Sequence, residues 1–97
     1  EFQELGFLVK FNFAENTGID QIDATVDRFI DEVIKANGLA YEGNGYLAWE
    51  GLVCLEKIGK CDESHRQLVK TWLENNGLQN VQVSELFDIW WDFPAEA

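Results

Sequence analysis

One stretch decides the fold of this sequence: residues 41–55 read Tyr-Glu-Gly-Asn-Gly-Tyr-Leu-Ala-Trp-Glu-Gly-Leu-Val-Cys-Leu. The dipeptide Asn44-Gly45 tolerates two successive positive φ angles and lies between two runs of strand-forming residues, which is typical of a β-hairpin turn. We therefore predict a central hairpin with strands over residues 39–42 and 46–56.

The two faces of the second hairpin strand follow from the alternation of side chains along a strand. Alternation assigns one set to the core, namely Leu47, Trp49, Val53 and Leu55, and the other to the opposite face, namely Tyr46, Ala48, Glu50 and Cys54. Gly51 interrupts the core set. A glycine inside a strand indicates either a bulge or a close approach of another part of the chain.

A strand and a helix are predicted before the hairpin. Residues 5–14 alternate, and their inward face is aromatic and apolar: Phe7, Val9, Phe11 and Phe13. Over residues 20–36 the apolar side chains recur at helical spacing, so we predict an amphipathic helix that buries Ile19, Ile22, Val26, Phe29, Ile30, Val33 and Ile34. Thr17 with Asp20 resembles a capping arrangement at its start, and Asn37-Gly38 ends it.

A second helix and a last strand are predicted after the hairpin. Asp62 is a suitable N-cap for a helix whose shared face carries His65, Leu68, Val69, Trp72 and Leu73. Asn76-Gly77 closes this helix, because glycine readily takes the left-handed conformation there. Val81 and Val83 then alternate with Gln82 and Ser84 as a strand, whereas residues 85–92 have no clean period.

The order of elements is therefore β-α-β-β-α-β. Two right-handed β-α-β units interleaved around a hairpin give an α+β two-layer sandwich of the ferredoxin-like type. We expect a four-stranded antiparallel sheet with both helices on one face. The prediction is a single domain over residues 1–92, followed by a short tail over residues 93–97.

The charge balance limits the kinds of partner. The 97 residues include 18 acidic and seven basic side chains, for a net charge of −11, and the resulting field repels phosphate backbones and anionic lipids. The apolar run over residues 52–55 is far shorter than the roughly 20 residues needed to span a bilayer. Basic partners are favoured instead. Asp23, Asp27 and Asp31, spaced along the first helix, are either a solvated flank or an acidic ridge for such a partner.

The open face of the predicted sheet is poorly suited to RNA. RNA-recognition modules of this topology stack bases on aromatic residues among basic ones. Here the face is predicted to carry one aromatic side chain, one lysine and two glutamates, within the set Leu8, Lys10, Asn12, Ala40, Glu42, Tyr46, Ala48, Glu50, Cys54, Gln82 and Ser84. Direct RNA binding by the body of the domain is therefore not expected.

Cys61 and His65 are the candidates for nucleophilic chemistry. A cysteine beside Lys60 at a helix N-terminus favours the thiolate, and His65 follows one helical turn later. We favour a packed histidine and an ordinary thiol, because His65 shares the apolar stripe of the helix, and keep thiol chemistry as the alternative. Together with Cys54 these residues are too few and too irregularly spaced for structural zinc, so no metal or cofactor is predicted, and both cysteines are expected to be reduced.

Tryptophan is frequent, with four in 97 residues, and Trp90 and Trp91 are adjacent. Neighbouring residues point in different directions, so one ring is expected to anchor the tail while the other is presented to a partner. The alternative is that both rings fold over the sheet edge as a hydrophobic lid.

Four blocks carry a resemblance to a known family. They are residues 1–7 (Glu-Phe-Gln-Glu-Leu-Gly-Phe), 45–51 (Gly-Tyr-Leu-Ala-Trp-Glu-Gly), 58–61 (Ile-Gly-Lys-Cys) and 84–92 (Ser-Glu-Leu-Phe-Asp-Ile-Trp-Trp-Asp). In this order they resemble the YggL family, small proteobacterial proteins long classed as a domain of unknown function and later described as binding the large (50S) ribosomal subunit. The resemblance covers residues 1–92.

The resemblance implies a cytoplasmic, ribosome-associated protein that acts in subunit assembly or translation and has no established catalytic activity. We expect a monomer and no enzymatic function. Together with the charge, it suggests docking on basic ribosomal proteins. The motif residues that would form or organise the docking face are Tyr46, Trp49, Glu50, Asp88, Trp90 and Trp91, with Trp49 acting as core support. Family members begin with a short Lys/Arg-rich arm that would reach rRNA, and this sequence, which has no methionine, lacks the arm.

Two other functions stay open from the residues. One is a thiol-dependent enzyme or redox protein that uses Cys61 and His65. The other is an acidic adaptor for a basic protein unrelated to the ribosome.

Overall fold

Five strands and two α-helices make up the fold of residues 4–89, the part of the chain that the structure, a computed structural model, describes. In chain order the elements are β1 (Leu5–Asn12), α1 (Ile19–Phe29), β2 (Leu39–Gly45), β3 (Ala48–Leu55), α2 (Glu63–Asn75), β4 (Gln79–Val83) and β5 (Phe87–Asp88).

The strands form one antiparallel sheet in the order β2-β3-β1-β4, and β5 pairs with the start of β1. The predicted α+β class, with an antiparallel sheet and two helices, is confirmed. The predicted count of four strands was wrong, because β5 adds a fifth within residues 85–92. A two-residue strand is too short to show an alternating pattern, so no sign of it is visible in the sequence.

The core lies between the sheet and the helices. Phe7, Val9 and Phe11 are almost completely buried, and they belong to the same cluster as Phe29 of α1 and Leu73 of α2. The rings of Phe11 and Phe29 meet edge to face with centroids 6.1 Å apart. Both helices therefore cover the same face of the sheet, which is the inward face predicted for β1.

The first helix differs from the prediction at both ends. Its N-cap is Gly18, which has no side chain that could cap the helix. The predicted capping arrangement of Thr17 with Asp20 is therefore not formed. The α-helix ends at Phe29 and continues as a π-helical segment, Ile30–Ile34, and a 3₁₀ turn, Lys35–Asn37. The wider turn leaves both Val33 and Ile34 buried at 1% and 2% exposure, beside β2.

The hairpin turns two residues later than predicted. Asn44 and Gly45 are still paired within β2, opposite Glu50 and Trp49, so the loop lies at Tyr46 and Leu47. Of the two predicted positive φ angles, Gly45 has one, at 152°, and Asn44 does not. A Cβ at Gly45 would lie 2.8 Å from the Cα of Trp49, so only glycine fits there. The Leu47 carbonyl then accepts a 2.8 Å hydrogen bond from the N–H of Phe13, which holds the late turn against the end of β1.

The glycine at position 51 is explained by the close approach of the Tyr41 ring. The β2–β3 register passes through it without a bulge, opposite Gly43. A Cβ on Gly51 would lie 2.7 Å from Cε1 of Tyr41, and one on Gly43 would lie 2.6 Å from Cζ of the same ring. The two glycines thus leave the space into which the Tyr41 ring folds.

The start of α2 confirms Asp62 as the N-cap. Its carboxylate accepts hydrogen bonds from the backbone N–H of Ser64 and of His65, at 3.0 and 3.3 Å. The hydrogen bond from the Ser64 hydroxyl, followed by that from the backbone N–H of His65, lowers the pKa of Asp62. His65 completes a capping box, because its Nδ1 accepts a 3.0 Å bond from the N–H of Asp62. Leu68, predicted on the buried face, is 38% exposed instead.

Candidate partner-binding surface

The hairpin end of the sheet holds three of the predicted docking residues, Tyr46, Trp49 and Glu50. Tyr46 lies in the loop and is 53% exposed, and its carbonyl accepts a 2.8 Å hydrogen bond from Nε1 of Trp49. The Trp49 ring stacks on Phe11 with centroids 6.2 Å apart and an interplanar angle of 2°. Trp49 therefore joins the exposed loop to the buried core.

Glu50 lies beside this loop on the face that the helices leave uncovered. Its carboxylate is 3.8 Å from Nζ of Lys10, which lies directly across on β1. An open groove of about 310 Å³ runs along this end of the sheet, lined by Lys10, Asn12, Asn44, Gly45, Ala48, Trp49 and Glu50. Its lining combines charged, polar and apolar side chains.

Asp88 lies at the other end of the sheet. It pairs with Leu5 at the start of β1, whereas Trp49 pairs with Phe11 near the end. These pairs are roughly 20 Å apart along the strand, at about 3.3 Å per residue. The structure thus brings Tyr46, Trp49 and Glu50 together but places Asp88 apart from them. Trp90 and Trp91 lie outside the described residues.

The face predicted to be open is only partly as expected. Lys10, Glu42, Ala48, Glu50 and Gln82 are at least partly exposed. Ser84, placed there by alternation, is buried at 7% exposure because its hydroxyl is bound inside the sheet. Leu52 also lies on this face, since its partner across β1 is Leu8, and the sequence-based set omitted it.

The aspartates of α1 and of the π-helical segment that follows it are all exposed, as the acidic ridge considered from the sequence would require. Asp23 and Asp27 face solvent, and Asp31 lies 4.0 Å from Lys35 in an exposed pair. The one arginine of α1, Arg28, pairs with Glu32 at 3.4 Å and also contacts the end of α2. It donates a 2.6 Å hydrogen bond to the C-cap residue Asn76 and lies 5.3 Å from the centroid of the Trp72 ring. Its charge is therefore held at the junction of the helices, and the aspartates dominate the outer surface of α1.

The geometry argues against a reactive Cys61. The residue is 2% exposed, and burial, with smaller contributions from Cys54 and Asp62, raises the pKa of its thiol to about 11. Burial, followed by the charges of Glu4 and Glu42, also raises the pKa of Cys54. The hypothesis of a reactive thiolate at this helix N-terminus is therefore not favoured, and the alternative of an ordinary thiol is, because burial outweighs the helix dipole here. His65 uses Nδ1 to cap the helix.

Tyr41 is a buried group that the sequence did not single out. Its hydroxyl is enclosed and, among residues 4–89, has no hydrogen-bond partner. Burial raises the pKa of Tyr41 to about 12. No pattern of residue types points to this, because the enclosure depends on Gly43, Gly51 and Phe29, which come from three different elements.

Metal-binding clusters and membrane-spanning helices are both absent from the part of the chain that the structure describes. Residues 4–89 contain no cluster of three or more His, Cys, Asp or Glu side chains arranged to hold a metal ion. Within those residues neither helix combines the length and the apolar character needed to cross a membrane.

Comparison with known proteins identifies the family. The YggL 50S ribosome-binding protein family matches residues 1–91, which is nearly the whole chain. The chain belongs to the YggL family. A Haemophilus influenzae protein (strain ATCC 51907 / DSM 11121 / KW20 / Rd), named only as an uncharacterized protein, is 75% identical to this YggL-family chain over 96 residues, which cover 99% of the chain and 84% of the relative. No solved structure matches the chain significantly.

Proposed function

We propose that this protein binds the large (50S) ribosomal subunit and acts there without catalysis. The observation that carries the proposal is the match of the YggL 50S ribosome-binding protein family to residues 1–91. The net charge of −11 supports a protein partner rather than bare RNA, because an acidic domain is repelled by phosphates and attracted by lysine and arginine. Such a protein works in the cytoplasm, in subunit assembly or in translation.

The contact is proposed to involve basic ribosomal proteins. The exposed ring of Tyr46 and the carboxylate of Glu50 provide an aromatic and an acidic group at the hairpin end, which suits a Lys/Arg-rich surface. Asp88 belongs to a second contact region at the far end of β1. A basic N-terminal arm, as in other family members, would add contacts with rRNA.

Two finer features are part of the same proposal. The protein is proposed to act as a monomer, since two copies that each carry a charge of −11 repel one another. The fold is proposed to be ferredoxin-like, with β5 as an addition, on the basis of the strand order β2-β3-β1-β4.

Co-sedimentation tests the proposal. The chain is centrifuged with purified 50S subunits and, as a matched control, with purified 30S subunits, at low and at moderate salt. We expect it to pellet with the 50S subunit only, and more weakly as salt rises, because attraction between exposed charges is screened. Equal recovery with both subunits, or with neither, would contradict the proposal. A version with a Lys/Arg-rich arm should bind more tightly and with a steeper dependence on salt.

A further inference from the structure

The outer edge of β2 is the feature that the family assignment does not explain. Strand β2 pairs with β3 along its whole length, from Leu39 opposite Leu55 to Gly45 opposite Trp49. On its other side it has no neighbouring strand among residues 4–89. A strand in this position presents unpaired backbone groups that are ready to receive another chain.

The backbone groups that point outward can be assigned. In an antiparallel pair, residues alternate between those bonded to the neighbouring strand and those facing away from it. The N–H of Glu56 donates a 2.9 Å hydrogen bond to the carbonyl of Gly38, so the bonded positions on this side are the even-numbered residues. The N–H and C=O groups of Tyr41 and Gly43 therefore face outward.

Apart from the charge of Glu42, the edge lacks the features that usually protect an edge strand. Its sequence, Leu-Ala-Tyr-Glu-Gly-Asn-Gly, contains no lysine and no proline, and its register with β3 has no bulge. The opposite outer strand, β4, is different: its register against β1 shifts between Lys10 and Asn12, and Asn80 has a φ of 52°. Irregular edges disfavour further pairing. Of these two outer strands, β2 is the regular template for an added strand.

Two notches flank β2, one on each face of the sheet. On the uncovered face a notch of about 190 Å³ is lined by Ala40, Tyr41, Glu42, Leu52 and Cys54. On the helix-covered face a notch of about 240 Å³ is lined by Ile30, Ile34, Lys35, Leu39, Ala40, Tyr41 and Glu56. Both notches include Ala40 and Tyr41. Successive side chains of a strand added at this edge would point into the two notches in turn, which is how strand addition obtains specificity.

The charges around the notches indicate the composition of the added strand. Each notch combines apolar side chains with one carboxylate, Glu42 on one face and Glu56 on the other. The cation at the second notch, Lys35, lies 4.0 Å from Asp31. A segment that alternates apolar residues with lysine or arginine is complementary to this lining. A second copy of the chain is not, because it would bring another net charge of −11.

We propose that the free edge of β2 receives an extended, Lys/Arg-bearing segment of a partner protein as an additional strand, with its side chains in the two notches. The inference rests on the proposed function, because it names how a basic ribosomal protein would be held. The backbone groups of Tyr41 and Gly43 supply the hydrogen bonds, and Glu42 and Glu56 supply the charge.

Amide hydrogen exchange with and without 50S subunits tests the edge directly. When the protein is bound, exchange in peptides covering residues 39–45 should slow by about tenfold or more, because outward N–H groups become hydrogen-bonded. Peptides from α2 serve as the internal control and should not change. Unchanged exchange over residues 39–45 in protein that has pelleted with the subunit would overturn the inference and leave the proposed function intact.

Two variants provide a second measurement. Glu42→Lys reverses the charge of one notch on the exposed edge and should weaken association with the 50S subunit by about tenfold. Glu74→Lys, an equal change on the exposed part of α2, is the matched control and should have little effect. Equal weakening by both variants would show that total charge, not the β2 edge, controls binding.

A synthetic peptide separates failure of the inference from failure of the proposed function. If the chain does not pellet with either subunit, an alternating Val-Lys octapeptide is titrated into isotope-labelled protein, with a Val-Glu octapeptide as the control. Amide shifts confined to residues 39–45 and seen only with Val-Lys would support the edge site without the ribosome. No shifts with either peptide would overturn it. Concentration-dependent dimerisation that is lost in Glu42→Lys would overturn it too, by identifying a second copy as the occupant.

Discussion

Ser84 makes two hydrogen bonds to Leu8, one through its backbone and one through its side chain. Its N–H donates to the Leu8 carbonyl at 2.8 Å, and its Oγ accepts from the Leu8 N–H at 2.8 Å. The same hydroxyl donates to the carbonyl of Glu85 at 2.9 Å. The Ser84 hydroxyl thus accepts the hydrogen bond that a backbone carbonyl would accept in a regular sheet, at the point where the chain leaves β4 for β5.

Replacing Ser84 with alanine should therefore destabilise the fold. The variant leaves the N–H of Leu8 without its acceptor inside the sheet, and an unsatisfied buried donor costs about 1 to 3 kcal/mol. Urea unfolding followed by tryptophan fluorescence measures the change. Gln82→Ala, on the exposed face of β4, is the control and should change the free energy of unfolding by less than about 0.5 kcal/mol. Equal values for the two variants would show that the hydroxyl contributes nothing specific.

Tyr41→Phe should stabilise the protein. The hydroxyl is enclosed and has no partner among residues 4–89, so its removal recovers the cost of burying it, about 1 kcal/mol. The edge-to-face contact with Phe29, at 5.4 Å between centroids, is kept. Tyr46→Phe is the matched control, because Tyr46 is 53% exposed and should have little effect. Loss of stability in Tyr41→Phe would mean that the hydroxyl does have a partner in solution.

The same residue should affect stability at high pH. Burial raises the pKa of folded Tyr41 from its ordinary value of 10.0 to about 12, so the unfolded chain ionises first as the pH rises. Ionisation of Tyr41 therefore does not affect the free energy of unfolding below pH 10, and it lowers that free energy progressively between pH 10 and 12. Urea midpoints measured across this window should fall more steeply for the unsubstituted chain than for Tyr41→Phe. Parallel curves would contradict the burial of the hydroxyl.

Cys61 should react more slowly than Cys54 with an alkylating probe at neutral pH. Cys61 is 2% exposed and burial raises its pKa to about 11, whereas Cys54 is only partly buried. Timed iodoacetamide labelling with peptide mapping should show a difference of about tenfold or more, which disappears in urea. Faster labelling of Cys61 in the folded protein would restore the case for a thiol-dependent enzyme.

Charge reversal at Glu50 and at Asp88 should weaken binding to the 50S subunit independently. The two residues pair with positions five residues apart on β1, roughly 17 Å at about 3.3 Å per residue, and changes at such distances are usually additive to within about 0.5 kcal/mol. Competition co-sedimentation of Glu50→Lys, Asp88→Lys and the double variant measures this. Unaltered binding by the double variant would show that neither residue contributes to the contact with the 50S subunit.

The local patterns of the sequence predicted much of the fold. Alternation in β1 identified Phe7, Val9 and Phe11 as core, and Asp62 was identified as the N-cap of α2 from its residue type and position. These features depend on neighbours along the chain, so the sequence contains them directly. The family was also readable from the sequence, since four ordered blocks carried the resemblance and the family matches residues 1–91.

Other features depended on contacts between distant parts of the chain. Asn44-Gly45 is a good turn by local preference, yet the Leu47 carbonyl binds the N–H of Phe13, and the turn lies two residues later. A helix N-terminus favours a thiolate, yet the packing around Cys61 encloses the thiol and raises its pKa. In both cases a tertiary contact outweighed a local preference.

The sequence by itself determined the α+β class, the inward faces of the strands, the acidic charge and the family, because each of these is set by residue type and spacing. Only the tertiary structure decided that β2 is a regular strand with no outer neighbour among residues 4–89. It alone also decided that Glu50 and Asp88 lie towards two ends of β1 and that the Tyr41 hydroxyl is enclosed. These depend on which strands become neighbours, and strand pairing joins residues far apart in the chain.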